Sequence, residues 1–354
     1  MDSSRKRTGL FTLTVAFLAL SLAGPIAAQD YDTENVILVS VDGIRCLEAF
    51  EFDTGDAAHP YIPFIYDSLA TWGTVFMEMY NDVCTFTSPG HATMLTGAWQ
   101  MSPNYNYFGE TFQTLAWEPT IFEYTQKDLG FDPTDTWCIV GKTNCLETNY
   151  SIHPEYGEDY GAFLVQVPTS VNVPEDCTDF ESIPDYDAQT VDALLDTLDS
   201  KAPALVFVNL RSVDEAAHLA NQGKKDFDYD VYIEAIRRAD RQVARIWHYI
   251  FSDPDYEDIT TLIVTTDHGR HEIARDTLGF TNHGGICHGC RHVMCVVVGP
   301  DTPDSTEVSR RTLQVDIAPT IMELLGGDGG IARYAEGQVL SEAIDGYSEL
   351  DRLI

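Results

Sequence analysis

The sequence predicts an α/β fold, a doubly wound and mostly parallel sheet flanked by helices, on three observations. Short apolar runs of strand length alternate with helix-length amphipathic stretches. The runs are nearly continuously apolar, as in strands buried on both faces. Residues able to do chemistry lie just past the ends of those runs, where such a sheet binds its ligands.

Taken in order, Asn35–Val41 ends in Asp42-Gly43, a buried strand with a loop at its carboxyl end. Strand-like runs follow at residues 74–79, 137–140, 204–210, 261–265 and 293–298. Between them, residues 61–72 and 188–198 read as amphipathic helices. Ile233, Ile236, Val243, Ile246 and Ile250 recur at helical spacing within 232–251. A last helix over 313–325 is stopped by Gly326-Gly327. Residues 143–187 break the rhythm, being rich in Pro, Asp, Glu and Tyr without periodicity and containing Cys145 and Cys177. A structureless loop of that length is uncommon in a compact domain. The segment reads either as a cap folded over the carboxyl edge of the sheet and stapled by its cysteines, or as a surface excursion.

Composition narrows the class. In 354 residues, 44% hydrophobic and 11% aromatic content is enough to bury a core, which argues against wholesale disorder. The 56 acidic against 21 basic residues leave a net charge of −35, which repels phosphate backbones and opposes binding of a nucleic-acid duplex. Arg5, Lys6 and Arg7 precede an apolar run from Leu10 to Leu22 and small residues near Ala28, the pattern of a cleaved signal peptide over 1–28; a retained N-terminal anchor is the alternative. No other stretch is long and apolar enough to span a bilayer. The expected product is an exported protein, periplasmic or secreted, with one catalytic domain over 29–354. Eight cysteines permit disulfides in that setting, though their pairing stays open. Cys287-x-x-Cys290 reads as a local disulfide, half a zinc site or a redox pair, the disulfide being favoured because no second Cys-x-x-Cys is present.

Candidate ligands gather at strand ends: Asp42 after the first strand, Asp214 and His218 after 204–210, Asp267 and His268 after 261–265, and His283 beyond them. An Asp after a strand is usually a turn or cap residue and a lone His is usually a surface group, so it is the joint placement that carries weight. Asp214 and His218 stand i, i+4 on one helical face and can reach one ion; the adjacent pair Asp267-His268 can serve another. Mixed carboxylate and imidazole ligands suit zinc, with manganese or iron as alternatives, better than calcium. Two such ions roughly 3.5–4 Å apart clamp the attacking and leaving oxygens of a phosphoryl displacement. In the segment Thr87-Ser88-Pro89-Gly90-His91, Pro89 suits the first turn of a helix with Thr87 or Ser88 as N-cap, and Gly97 ends it. A hydroxyl there faces free backbone N–H groups where a phosphate is welcome. A plain capping role for Thr87 is the alternative.

These residues together resemble the alkaline phosphatase superfamily, most closely its nucleotide pyrophosphatase/phosphodiesterase branch. Thr87-x-Pro-x-His91 with Leu95-Thr96-Gly97 resembles the nucleophile segment of that branch. Val41-Asp42-Gly43, Asp214-x-x-x-His218, Thr266-Asp267-His268-Gly269 and His283-Gly284 match its metal motifs in order, and the segments 296–300 and 315–320 resemble its C-terminal strand and helix. The resemblance extends over about 35–327. It implies an alkaline phosphatase-like fold and two Zn²⁺ ions, one held by Asp42, Asp267 and His268 with Thr87 as ligand, the other by Asp214, His218 and His283. It further implies attack by Thr87 on phosphorus to give a phosphothreonine intermediate.

The pattern also departs from that family. His288 and His292 compete with His283 as the third ligand. The Asn that stabilises an oxyanion in the phosphodiesterase branch has no counterpart at the family spacing, and Asn106, with Asn104 nearby, is the candidate. A sulfatase signature is disfavoured because position 87 is Thr and position 91 is His. The expected activity is an exported phosphodiesterase or phosphomonoesterase acting on a small phosphate ester. The alternatives are phosphonate or sulfate ester hydrolysis, phosphoryl transfer, or a non-catalytic binding protein stabilised by metal.

Overall fold

The computed structural model describes residues 31–51, 61–101, 115–142, 146, 148–167, 185–221, 229–272, 279–326 and 332–347. The expected signal segment, Asn104, Asn106, Cys145 and Cys177 lie outside the described residues. The strands, in chain order, are β1 (Asn35–Val41), β2 (Thr74–Tyr80), β3 (Thr136–Val140), β4 (Phe163–Gln166), β5 (Leu205–Leu210), β6 (Thr260–Thr265), β7 (His292–Val298), β8 (Thr306–Val308) and β9 (Thr312–Leu313). The helices are α1 (Pro63–Asp67), α2 (Thr87–Thr96), α3 (Ile121–Lys127), α4 (Tyr186–Lys201), α5 (Ser212–Asn221), α6 (Tyr229–Ser252), α7 (His288–Arg291) and α8 (Ile317–Leu324).

One mixed, mostly parallel sheet runs in the order β4-β3-β5-β1-β6-β7-β2-β8, with β9 paired to β2. β4, β3, β5, β1 and β6 are mutually parallel, and β7 is antiparallel to both β6 and β2. Because successive strand residues point to opposite faces, β1 feeds two cores. Ile37, Val39 and Val41 pack on one side with Ile65 of α1, Leu194 of α4 and Val243 of α6. Val36 and Leu38 pack on the other with Met94 of α2, Phe122 of α3 and Ile321 of α8. A sheet covered on both faces explains why its strands read as nearly continuous apolar runs.

Three expected elements differ in detail. The helix foreseen over 61–72 is α1 followed by a separate 3₁₀ turn at Leu69–Thr71, and Asp240 of α6 ties down the start of α1 by accepting from Phe64 and Ile65 N–H at 3.1 and 2.9 Å. The helix foreseen over 313–325 opens with a 3₁₀ turn at Gln314–Asp316, where the Asp316 carboxylate accepts from Leu313 N–H at 2.9 Å. In the aperiodic segment, β4 adds an edge strand beside β3. Glu123 at the start of α3 accepts from Ser151 Oγ (2.7 Å) and Gly157 N–H (2.6 Å), so residues 151–157 are tied to the body of the domain.

α2, which begins at Thr87, is terminated by Gly97 in the left-handed region at φ 71°, and a Cβ there would stand 2.7 Å from Ala335 Cβ. Gly97→Ala therefore has to lower stability by about 1–3 kcal/mol. Chemical denaturation measures this, and an unchanged midpoint would contradict the structural role.

Candidate metal centre

The parallel register brings the carboxyl ends of β5, β1 and β6 level, with Val41 opposite Leu210 and Ser40 opposite Thr265. The segments that leave those ends converge. Asp42 follows β1, Asp214 lies in the first turn of α5, and Asp267-His268 follow β6. All four are buried. Gly43 turns the chain away at φ 72°, and its missing side chain leaves room for Asp214 Oδ1, which a Cβ would meet at 2.9 Å.

Two sets of potential ligands result, each with its ligand atoms within 4.8 Å of one another: Asp42, Asp267 and His268, and Asp214, His218 and His283. The stacked rings of His268 and His283, 3.9 Å apart, join the sets. The rings are oriented by second partners. His268 Nδ1 donates to Gly269 O at 3.0 Å and His283 Nδ1 donates to Thr85 O at 3.0 Å, which leaves both Nε2 lone pairs turned inward. Burial lowers the pKa of all three histidines, that of His268 to about 4, keeping the rings neutral and able to ligate.

Without a cation these lone pairs would face electron-rich neighbours. His268 Nε2 lies 3.2 Å from Asp267 Oδ2, a buried oxygen that has no hydrogen-bond partner. His283 Nε2 lies 3.1 Å from His218 Nε2, which is itself 3.3 Å from Asp214 Oδ1. An orphaned carboxylate oxygen beside an inward lone pair fits a bound divalent ion. Burial, then the charge of Asp42, pushes the Asp267 carboxyl up. Burial also opposes ionisation of Asp42, but the charge of the Lys142 ammonium leads the opposing effects, with a hydrogen bond from Asn209 adding to it, and that carboxyl is held low.

Thr87 sits at the same centre. Its Oγ1 is 3.4 Å from His268 Nε2 and 3.1 Å from Lys142 Nζ. The structure corrects the capping assignment: Phe86 is the N-cap of α2, and Thr87 is its first helical residue, so its hydroxyl is not spent on the cap. His91, one turn on, donates from Nδ1 to Thr87 O at 2.8 Å, while Ser40 Oγ lies 2.9 Å from its Nε2. Gly90 lets the helix approach the ligands, since a Cβ there would stand 2.6 Å from Asp267 O.

His283 joins Asp214 and His218, whereas His288 lies 3.2 Å from Tyr80 Oη and 3.0 Å from Glu272, and His292 Nε2 donates to Met77 O. Asn106 falls outside the described residues. Two cations that no motif announces complete the centre. Lys142, two residues past β3, pairs with Asp42 at 3.3 Å and with Asp214. The fully buried Arg270 pairs with Asp214 and donates from Nε to Gly43 O at 3.0 Å; burial pulls its pKa down to about 9. Lys142 could have been suspected from its place past a strand end, the same signal that selects Asp42. Arg270 offers no such signal beyond standing two residues after His268.

The sheet, its flanking helices and the strand order define an alkaline phosphatase-like fold, with two candidate ligand sets at its carboxyl edge. Residues 170–328 match the family model described as the Metalloenzyme superfamily. A 2,3-bisphosphoglycerate-independent phosphoglycerate mutase of Halobacterium salinarum is 28% identical over 158 residues, which make up 42% of this chain and only 28% of the relative's length. Among solved structures, a phosphonate monoester hydrolase of Agrobacterium radiobacter superposes with a TM-score of 0.58 at 18% identity, covering 89% of this chain and 78% of that one. An alkaline phosphatase superfamily protein from Vibrio parahaemolyticus gives 0.56 at 16%, covering 90% and 71%. Murine ectonucleotide pyrophosphatase/phosphodiesterase 5, in an inactive threonine-to-alanine form with AMP, gives 0.56 at 13%, covering 84% and 96%. Among the described residues, no helix is long and apolar enough to cross a membrane. Cys287 and Cys290, for which a disulfide is favoured from sequence, carry free thiols.

α5, which bears Asp214 and His218, is anchored by buried Asp187, whose Oδ1 accepts from Arg211 N–H at 2.8 Å and Ser212 N–H at 3.1 Å. Burial, reinforced by the charge of Asp185, raises the Asp187 carboxyl from 3.8 to about 7. Between those values the folded chain holds a proton that the unfolded chain has released, so this group's stabilisation is full at low pH and is lost as pH rises to about 7. Asp187→Asn keeps the acceptor and has to flatten the slope of stability against pH across that window. An unchanged slope in denaturant melts would exclude Asp187 as its source.

Proposed function

We propose that this chain is a phosphoric ester hydrolase that binds two divalent ions, zinc best matching the ligand types, and uses Thr87 as nucleophile. The observation that carries the reading is the position of Thr87 Oγ1 at the junction of two mixed carboxylate–imidazole sets, within hydrogen-bond reach of a lysine ammonium. Asp42, Asp267 and His268 would hold one ion and Asp214, His218 and His283 the other. Bound there, the ions would supply the positive charge that makes a threonine hydroxyl nucleophilic near neutral pH and that stabilises the departing oxygen.

The chain's own residues account for the rest. The hydrogen bond from His91 to Thr87 O and the packing of α2 against Asp267 fix the direction of the hydroxyl. Arg270 holds the Asp214 carboxylate in place. Thr87 Oγ1 gives up its proton as the Oγ1–phosphorus bond forms and the ester oxygen–phosphorus bond breaks, the departing alkoxide takes up one proton to leave as the alcohol, and water then cleaves the phosphothreonine, its oxygen staying on the phosphate and one of its protons returning to Thr87 Oγ1. Support comes from the threonine-to-alanine form described as inactive in the murine phosphodiesterase-like structure.

Lys142 favours a monoester over a diester. A monoester dianion carries one more charge than a diester, and Lys142 Nζ, 3.1 Å from the nucleophile, is the side chain able to meet it. Phosphonate and sulfate esters remain competing substrates, since the structural neighbours include phosphonate monoester hydrolases and a sulfatase. An acidic surface at net −35 suits a small ester better than a long polyanion. The signal-like 1–28 segment supports an exported location.

Assay of phosphate monoesters, diesters, phosphonates and sulfates with and without added zinc tests the reading. Thr87→Ala has to lower kcat on the preferred phosphate ester by roughly 10³-fold or more with bound metal retained. Lys142→Ala has to cost more on the monoester than on the diester. Full activity in Thr87→Ala, or a rate indifferent to metal removal, would sink the proposal.

A further inference from the structure

A second cluster of metal-ligating side chains lies beyond this centre, on the segment that continues from Asp267-His268. Gly269 N–H donates to Cys290 O at 2.9 Å and His271 N–H donates to Asn282 O at 3.1 Å, so the 267–271 segment runs beside the one that carries His283. Past this pairing, His271 Nδ1 lies 3.2 Å from Cys287 Sγ and 3.3 Å from Cys290 Sγ. All three ligand atoms fall within 4.8 Å of one another.

The local backbone fixes that convergence. Cys287 is the N-cap residue of α7 and Cys290 its third residue, an i, i+3 spacing that turns both sulfurs to one side. Gly285 lies so close to the imidazole that a Cβ would stand 2.3 Å from His271 Cε1. Gly289 similarly presses on the preceding turn, where a Cβ would stand 2.5 Å from Arg270 O. Cys290 is buried, while Cys287 and His271 are partly open, which leaves a way in for an ion.

We propose that His271, Cys287 and Cys290 form a third metal site, separate from the six-ligand centre, which takes a thiophilic cation such as zinc. Two sulfurs and one imidazole nitrogen are a soft donor set, suited to zinc or copper(I) and poorly suited to magnesium or calcium. In a tetrahedral zinc site, bonds of about 2.3 Å to sulfur and about 2.0–2.1 Å to nitrogen put nitrogen and sulfur about 3.5 Å apart. The observed 3.2 and 3.3 Å require only a small expansion. One ring nitrogen shared almost equally by two sulfurs is the arrangement of donors around a common centre. Binding replaces the two thiol protons with metal–sulfur bonds and releases those protons to solvent.

The site would act as a clip. It ties the turn after Asp267-His268 to the turn after His283, and so bears on residues from both ligand sets without belonging to either. The competing structure is a disulfide between Cys287 and Cys290, which would leave His271 a bystander. The proposal stands apart from the esterase reading and survives if that reading fails.

Cobalt(II) reconstitution of the metal-free full chain distinguishes them. The expected result is a thiolate-to-cobalt charge-transfer absorption that disappears in Cys287→Ser, is lost or strongly weakened in His271→Ala, and persists in Asp214→Ala. Zinc-loaded protein is expected to bind one equivalent less in Cys287→Ser. Its Cys287 should be alkylated by iodoacetamide roughly tenfold more slowly than in chelator-treated protein, a comparison on unmutated chain that holds even if a variant misfolds. An intact mass and peptide map showing a Cys287–Cys290 disulfide would overturn the proposal. So would an absent charge-transfer band, or one that survives loss of Cys287.

Discussion

Three carboxylates, Asp42, Asp214 and Asp267, are buried together at the carboxyl ends of neighbouring strands, and the surrounding structure is organised by the need to neutralise them. Ionised carboxylates in a dry interior are costly unless paired and hydrogen-bonded. Each has its own provision. Asp42 receives Asn209 Nδ2 at 3.2 Å and the Lys142 ammonium at 3.3 Å. Asp214 receives Arg270 and Lys142. Asp267 has Gly43 N–H at 3.0 Å on one oxygen, while the other lies 3.2 Å from His268 Nε2 and 3.3 Å from His91 Nδ1 without a hydrogen-bond partner. The orphaned oxygen points into the space shared with His268, so the unmet need and the metal-ligating geometry coincide.

This arrangement depends on the parallel sheet. Because β5, β1 and β6 end level, the three segments that bear the carboxylates leave from adjacent points, and no long excursion is needed to join them. Close approach then requires small residues. Gly43 yields to Asp214, Gly90 to the Asp267 carbonyl, and Gly269 to Gly289 O, which a Cβ would meet at 1.9 Å. The two helical layers do different work. α2 supplies Thr87 and His91 from one face, while α5 supplies Asp214 and His218 from the other, so the centre sits where both layers meet the edge of the sheet.

The parts legible in the sequence are those whose physics is local. β1, β5, β6 and β7 announce themselves because a strand buried on both faces is apolar along most of its length, and Asp42, Asp214, Asp267 and His268 stand just past strand ends. β4 was not legible: an edge strand of four residues with two exposed positions leaves too short a pattern to register. His283 and His288 could not be separated by spacing, because what divides them is the fold, which turns one ring toward Asp214 and the other toward Tyr80 and Glu272. Lys142 and Arg270 were missed for a related reason. A cation's value here lies in which carboxylates it meets across the chain, 72 residues away for Lys142 and 56 for Arg270, and neither separation leaves a periodic trace.

Charge balance links the centre to the whole molecule. Among the described residues, Lys142 and Arg270 are the lysine and arginine paired with these carboxylates; with the histidines neutral and all three carboxylates ionised, one negative charge is left in excess, in a chain whose net charge is already −35. An anionic ester would be repelled at long range and again at the centre. On the proposed reading, a pair of divalent ions would reverse the second repulsion, because four added charges would turn the centre positive within a buried, weakly screened volume. On the proposed reading, metal binding is therefore as much the condition for substrate entry as for chemistry. Lys142 stands at the point where the two ligand sets and Thr87 meet, so it is the residue whose partners must change. Were the carboxylates taken up by ions, the Lys142 ammonium that now meets Asp42, Asp214 and Thr87 would be free to meet a phosphoryl oxygen in front of Thr87.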